Sequence, residues 1–167
     1  MAYSDHMEDF YSKYPNRVGA GSQRSGSAFS LKRGYYALHR PDDPQAGELV
    51  FDDGTIAVVR GEPSQTRGVQ SSMGPVYELG PGGSLAVPTG SVFIRFHDGI
   101  DAASRKRDIE RAGYSLEESL PYASNAAWLK ANSGSIADSL TGLSRLAALP
   151  DVENVEPQML MKGSSRS

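Results

Sequence analysis

The order of strand and helix signals over residues 92–161 restricts the fold of this chain more than any other part of its sequence. Residues 91–96 alternate between apolar and other side chains, as expected for a half-buried strand. The carboxylate of Asp101 is suited to cap a helix, and Gly113 supplies a left-handed residue to end it. The region is therefore predicted to open with a strand followed by a helix.

Two further strands and a second helix are predicted next. Residues 114–120 and 126–131 have the composition of a strand pair and are joined by a short polar turn. Ser135 is placed to cap a helix whose leucines recur at helical spacing. Pro150 ends that helix, because proline disfavours helical geometry in the residue before it. A final strand is predicted at residues 152–158.

This order predicts a ferredoxin-like βαββαβ domain of the α+β class over residues 89–162. Residues 1–30, which are rich in Gly, Ser and Arg, are predicted to form a flexible arm. Residues 31–88 are predicted to form a small β-rich module with two hairpins, and residues 163–167 a short tail. The hairpin turns are assigned to Asp52–Gly54 and Gly80–Gly83, where glycine accepts positive φ.

Charge and residue usage exclude several classes of protein. The 167 residues include 17 Lys and Arg against 20 Asp and Glu, and this net charge of −3 argues against nucleic acid as a partner. The chain has no cysteine, so disulfides and thiolate metal sites are excluded. No secretory signal opens the chain, and no apolar stretch approaches the roughly 20 residues of a membrane helix. The prediction is a soluble chain without a membrane or nucleic-acid partner, cytoplasmic if it is free-standing.

Catalytic and metal-binding patterns are weak. The three histidines are His6 in the arm, His39 at a turn, and His97 beside Asp98 at a strand end. His97 is interpreted as part of a polar strand end rather than as a general base. No serine lies in a Gly-x-Ser-x-Gly motif, and no histidine pair has zinc spacing. The prediction is a protein that is not an enzyme and needs no metal or cofactor.

One face of the predicted sheet carries large aromatic side chains. Both helices of a βαββαβ domain pack on the same face of its sheet, so the opposite face is left to bind a partner or to be covered by the β-rich module. Phe93 and Trp128 fall on that opposite face, because their aliphatic neighbours in sequence point toward the helices. A sheet face with exposed aromatic residues is a candidate docking surface.

The end of the chain carries a specific phrase. Residues 149–157 read Leu-Pro-Asp-Val-Glu-Asn-Val-Glu-Pro after the second predicted helix, and residues 92–99 read Val-Phe-Ile-Arg-Phe-His-Asp-Gly. Together with the helix between them, these stretches resemble the propeptide of a subtilisin-family serine protease. The β-rich residues before them resemble, more faintly, the extra N-terminal module of some larger bacterial subtilases.

The resemblance implies a non-catalytic module that inhibits a subtilisin-like serine protease and acts as its folding chaperone. It implies that the outer sheet face packs on the protease, while the segment after the last strand lies in the active-site cleft. The residues that it assigns to the tail are Gln158, Met159, Leu160, Met161, Lys162, Gly163 and Ser164. Those that it assigns to the protease-binding surface are Phe93, Trp128, Glu153 and Glu156.

Two arrangements and one other class of function stay open. No protease domain follows within these 167 residues, so the chain is either an excised prodomain acting in cis or a free-standing inhibitor acting in trans. The missing secretory signal implies an intracellular protease in the second case. The alternative function is a regulatory or scaffold domain that self-associates or binds a small ligand.

Overall fold

A computed structural model of the chain describes residues 10–19, 28–39, 49–51, 56–61, 73–80 and 82–161. The strands are β1 (Arg17–Gly19), β2 (Ala28–Leu31), β3 (Tyr35–His39), β4 (Leu49–Phe51), β5 (Ile56–Arg60), β6 (Met73–Gly74), β7 (Tyr77–Leu79), β8 (Leu85–Phe96), β9 (Tyr114–Leu120), β10 (Ala123–Ala131) and β11 (Val152–Met161). A 3-10 turn at Ala102–Arg105 leads into α1 (Lys106–Arg111), and α2 (Ile136–Thr141) and α3 (Leu143–Ala147) follow β10.

The predicted ferredoxin-like βαββαβ domain is wrong. The fold is mostly β, with 52% of the described residues in strands and 21% in helices, and contains an antiparallel sheet of six to seven strands. Its order is β1-β2-β7-β8-β10-β9, with β11 also paired to β8. The physical reason is β8, which begins at Leu85 and runs without a break through Pro88 to Phe96. Proline lacks a backbone donor but tolerates extended geometry, so the sheet continues past this point into β7 and β2.

The chain divides into two compact units. The first comprises Met1–Arg17, Ala28–Pro88 and Met159–Ser167, and the second comprises Val18–Ser27 and Thr89–Gln158. In the first unit, β4-β5-β3-β6 form a four-stranded sheet, and β7 pairs antiparallel with β2 and with the start of β8. Its buried cluster contains Ala37, Ile56, Val58, Val76 and Val87, with Tyr35, Leu85 and Leu160 packed against it.

The strand pairs of both predicted hairpins are present in the first unit. The β7–β8 pair is antiparallel and confirms the hairpin around Gly80–Gly83. The β4–β5 pair is also antiparallel, while the predicted turn Asp52–Gly54 between them lies outside the described residues.

Residues 10–17, which were predicted to belong to a flexible arm, are packed in the first unit. Tyr11 is buried, and its hydroxyl donates to the carbonyl oxygen of Tyr35 at 3.2 Å. The hydroxyl of buried Tyr77 donates to the carbonyl oxygen of Pro15 at 2.7 Å. Buried aromatic area and these hydrogen bonds offset the entropy of ordering the segment, which composition alone does not reveal. The rest of that predicted arm, apart from residues 18–19 and 28–30, lies outside the described residues.

The second unit has a core between its sheet and its helices. In this unit β10 pairs antiparallel with β8 on one side and with β9 on the other. The fully or nearly fully buried members of the core are Val92, Ile94, Phe96, Ala102, Ile109, Ala112, Tyr114, Ala127, Leu129, Ala131 and Leu146. Alternation along β8 therefore points every second residue at the helices, as the sequence predicted for this strand.

The predicted helix-capping residues are confirmed. The carboxylate of Asp101 accepts a hydrogen bond from the Ala103 amide at 3.3 Å, and the hydroxyl of Ser135 accepts one from the Asp138 amide at 3.2 Å. Gly113 has φ of 99°, the left-handed value that favours glycine after a helix. These signals are local, and the chain obeys them whatever the rest of the sheet does.

A buried tyrosine joins β9 to the helical segment. The hydroxyl of Tyr114 donates to the carbonyl oxygen of Ser139 at 2.6 Å, and burial raises the pKa of this phenol to about 12. Arg145 lies beside it and donates through Nε to the carbonyl oxygen of Ala112 at 3.0 Å. A Cβ at Gly142 would lie 2.6 Å from the Tyr114 hydroxyl, so only glycine fits between α2 and α3 in this arrangement.

The turn before β11 contains a residue with left-handed backbone. Asp151 has φ of 65°, the only positive value among the described residues other than glycine. Its carboxylate lies 2.9 Å from Nη2 of Arg105, and its carbonyl oxygen accepts from the His97 amide at 2.9 Å. The backbone hydrogen bond holds this turn to the residue after β8, and the ion pair holds it to the 3-10 turn at Ala102–Arg105.

The stability of the first unit is expected to fall in mild acid because of His39. This residue pairs with Ile56 between β3 and β5, and its Nε2 is buried without a hydrogen-bond partner in the part of the chain that the structure describes. Burial lowers the pKa of His39 below its ordinary value near 6.5. The unfolded chain therefore binds a proton at His39 more tightly than the folded chain does. The free energy of unfolding is then highest above about pH 7, where His39 is neutral in both states, and it decreases as the pH falls below about 6.5.

Urea unfolding at pH 7.5 and pH 5.5 measures this effect. The urea concentration at the unfolding midpoint should be lower at pH 5.5 than at pH 7.5. This decrease should be larger for the wild-type chain than for His39→Gln, whose side chain does not titrate. Equal shifts in the two proteins would contradict the prediction.

Candidate protein-docking surface

An aromatic pair lies on the sheet face of the second unit that points away from its helices. Phe93 of β8 and Trp128 of β10 are directly opposite in the strand register, and their ring centroids are 5.4 Å apart at an interplanar angle of 66°. Their neighbours Val92 and Leu129 are fully buried in the core on the helical face. Both aromatic residues are only partly buried, so part of each ring stays accessible. The predicted placement of these two residues on one face is confirmed.

Charged side chains border the aromatic pair on two sides. Arg95 is exposed, and its guanidinium lies 5.5 Å from the centre of the Phe93 ring. Glu118 of β9 is exposed and is paired in register with Trp128. Neither Arg95 nor Glu118 forms an ion pair with another described residue. An apolar centre with charges at its edge is the usual anatomy of a protein–protein interface.

A second charged group on the same strands is satisfied within the chain. The Glu117 carboxylate accepts from the Ser91 hydroxyl at 3.2 Å and lies 3.9 Å from the ammonium of Lys130. The register of β9 shifts at this point, since Trp128 pairs with Glu118 but Leu129 pairs with Leu116. This bulge places two consecutive glutamates against one position of β10, so that one is internally paired and the other is available.

The two glutamates of β11 that are predicted to bind the protease differ in exposure. Glu153 is exposed, whereas Glu156 is partly buried and accepts a hydrogen bond from the Asn154 amide group at 2.7 Å. The carboxylate that is paired in register with Trp128 is that of Glu118.

The predicted tail is part of a strand as far as Met161. Gln158 accepts a hydrogen bond from the Thr89 hydroxyl at 2.7 Å. Leu160 packs against the buried cluster of the first unit, and Met159 and Met161 are partly buried. These four residues are not the free extended segment that the sequence predicted, because the strand signal at residues 152–158 continues to Met161. The remaining predicted tail residues, Lys162, Gly163 and Ser164, lie outside the described residues.

Three residues of interest were missed from the sequence. Arg95 and Glu118 border the aromatic pair, and Tyr122 at the β9–β10 turn is 83% exposed. The alternation of β8 places Arg95 on the face of Phe93 and was sufficient to identify it. Glu118 depends on the bulge in β9, which a single sequence does not announce.

The described residues do not bring the histidines together with other groups into a catalytic cluster. His97 is exposed at the end of β8, and His39 lies in the other unit. Among the described residues, no group of three or more His, Asp or Glu side chains is placed to hold a metal ion. Within the same residues, no helix combines the length and apolar character needed to cross a membrane.

Comparisons with known proteins give no relatives. No protein-family model matches the chain, and no curated protein and no solved structure matches it.

Proposed function

We propose that this chain is a non-catalytic protein-binding module whose partner is a subtilisin-like serine protease, held against the Phe93–Trp128 face. The observation that carries the proposal is the pair of partly accessible rings at 5.4 Å on a sheet face that the unit's own helices do not cover. Trp and Arg are enriched at the energetic centres of protein interfaces, and both occur here. The choice of a protease as partner comes from the propeptide-like phrase at residues 149–157.

The mode of inhibition follows from where the strand ends. Residues 158–161 belong to β11 and are held by hydrogen bonding and packing within the chain. A substrate-like insertion into the protease cleft is therefore assigned to residues after Met161, and docking of the sheet face provides the main contact. This arrangement supports an inhibitor that binds as a folded body rather than through a long free tail.

Binding to a subtilisin whose catalytic serine is replaced by alanine tests the proposal. Trp128→Ala should raise the dissociation constant measured by calorimetry at least tenfold, because a partly buried tryptophan is a typical energetic centre of an interface. Arg95→Ala should weaken binding less. Arg107→Ala is the matched control, since this exposed arginine lies on α1 and on the helical side of the unit.

Folding of each variant is checked by its unfolding midpoint. If the wild-type chain shows no affinity for any subtilisin-like protease tested, the proposed partner is wrong. If it binds but Trp128→Ala and Arg107→Ala are equal to wild type, the proposed surface is wrong.

Self-association is the second candidate function, and one observation favours it. Arg95 lies two residues from Phe93 on β8, and Glu118 lies beside Trp128 on β9, and neither forms an ion pair with another described residue. A two-fold rotation that exchanges the two charges places each arginine against the glutamate of a second copy, which is the self-complementarity that a symmetric interface requires. Sedimentation should then show a dimer that Arg95→Glu dissociates, whereas a monomer at all concentrations contradicts this candidate.

A further inference from the structure

The Phe93–Trp128 face carries one cation and one anion that are not paired with each other within the chain. Arg95 lies two residues along β8 from Phe93, and Glu118 lies on β9, beyond the intervening strand β10. Neighbouring strands are about 4.8 Å apart and rise about 3.4 Å per residue, so the Cα atoms of Arg95 and Glu118 are roughly 12 Å apart. Both side chains are exposed, and neither forms an ion pair with another described residue.

A single two-fold rotation matches this face to a second copy of itself. Its axis lies along the face, passes midway between Arg95 and Glu118, and is perpendicular to the line that joins them. The rotation therefore brings Arg95 of each copy onto Glu118 of the other. On a locally flat face with the spacings above, it also brings Trp128 of one copy to within about 3 Å, in projection, of Phe93 of the other. The operation that pairs the charges thus also brings the rings together.

The apolar and the charged contacts of such a dimer have separate effects. The Phe93–Trp128 pair of each copy, with ring centroids 5.4 Å apart, supplies the apolar centre, where aromatic contacts stabilise an interface beyond the area that they bury. The two Arg95–Glu118 pairs lie at the edge, where complementary charges fix the register and disfavour other orientations. Because the rotation maps one face onto the same face, assembly ends at two copies.

We propose that a second copy of this chain covers the Phe93–Trp128 face in this two-fold arrangement, so that the dimer is the closed form of the docking surface. The inference rests on the proposed function only for the partner that displaces the second copy. One face is buried in one interface at a time, so the dimer and the complex with a partner exclude each other. Each then lowers the apparent affinity of the other by mass action.

Exchange of the two charges tests the dimer without any partner. Arg95→Glu and Glu118→Arg should each weaken dimerisation at least tenfold in sedimentation equilibrium, because every dimer then contains two like-charge contacts. An equal mixture of the two variants should dimerise to within about threefold of wild type, since every contact between copies again joins opposite charges. Arg107→Glu makes the same charge change on α1, on the helical side, and should sediment as wild type. The unfolding midpoint of each variant checks its folding.

The only tryptophan of the chain provides a second readout. Trp128 lies on the proposed interface, so its fluorescence emission should move to longer wavelength when the wild-type chain is diluted. In Arg95→Glu the emission should stay at the longer wavelength at every concentration. A wild-type chain that is monomeric up to about 1 mM, the range of a very weak interface, overturns the proposal. So does a mixture of the two charge variants that fails to dimerise.

Competition with the inactive subtilisin tests whether the dimer closes the docking surface. The apparent dissociation constant measured by calorimetry should rise with the concentration of the wild-type chain and should not depend on concentration for Glu118→Arg. Binding that is independent of concentration while the wild-type dimer persists overturns the closure. If the charge variants behave as expected but no subtilisin binds, the proposed partner is wrong and the two-fold dimer is supported.

Discussion

Gly142→Ala is expected to destabilise the chain by about 2 kcal/mol, although alanine is the better helix former. Gly142 has φ of −91° and lies between α2 and α3, so its backbone does not require glycine. The propensity gain is about 1 kcal/mol. Against it, the new Cβ lies 2.6 Å from the Tyr114 hydroxyl and 2.9 Å from its ring, and overpacking of this severity costs about 3 kcal/mol. The unfolding midpoint in urea measures the net effect.

Tyr114→Phe identifies the clash as the cause. Alone, it removes the hydrogen bond from the hydroxyl to the Ser139 carbonyl oxygen and should cost about 1 kcal/mol. Combined with Gly142→Ala, it removes one of the two atoms that lie 2.6 Å from the new methyl group, the other being Nη2 of the flexible Arg145 side chain. The two costs should therefore sum to more than the double variant shows. Full additivity, or a Gly142→Ala protein as stable as wild type, would show that the segment relaxes freely around the methyl group.

Leu160→Ala is expected to destabilise the first unit by about 2 kcal/mol, the lower end for a leucine that is only partly buried. Leu160 packs against the buried cluster that contains Val76 and Val87. A leucine in a free tail would instead tolerate the change. The readouts are the urea unfolding midpoint and the amide hydrogen exchange of residues 158–161, which should accelerate in the variant.

Met159→Ala is the matched control for the tail. Met159 is adjacent to Leu160 in β11, so alternation points it to the other side of the strand. Its replacement should change the unfolding midpoint much less. If Leu160→Ala changed neither the hydrogen exchange nor the midpoint, residues 158–161 would be a free segment, as the sequence predicts. A long tail inserted into the protease cleft would then again be the expected mode of inhibition.

The elements that were predicted correctly from sequence depend on neighbouring residues. Asp101 and Ser135 cap their helices because the accepting side chain is two or three residues from its amide donor. Phe93 and Trp128 share a face because alternation within each strand needs no knowledge of the partner strand. Gly113 ends α1 for an equally local reason.

The elements that were missed depend on distant pairing. The sequence pattern predicts that the β-rich module ends at Pro88. In the structure, Pro88 lies within β8, and the first residues of this strand pair with β7. Tyr11 lies in a segment of linker-like composition, and its burial depends on a hydrogen bond to Tyr35 twenty-four residues away. Leu160 has the pattern of a tail residue and is held by a cluster formed from β3, β5 and β8. No window of neighbouring residues contains these contacts.

The left-handed turn at Asp151 has an evolutionary consequence. Only Gly, Asn and Asp adopt such a backbone at low cost, and of these only Asp keeps the carboxylate that faces Arg105. Related sequences should therefore have Asp at position 151 when position 105 is Arg or Lys. When position 105 is not cationic, Gly or Asn should also occur at position 151. This covariation between positions 105 and 151 would help to identify distant homologues of low sequence identity.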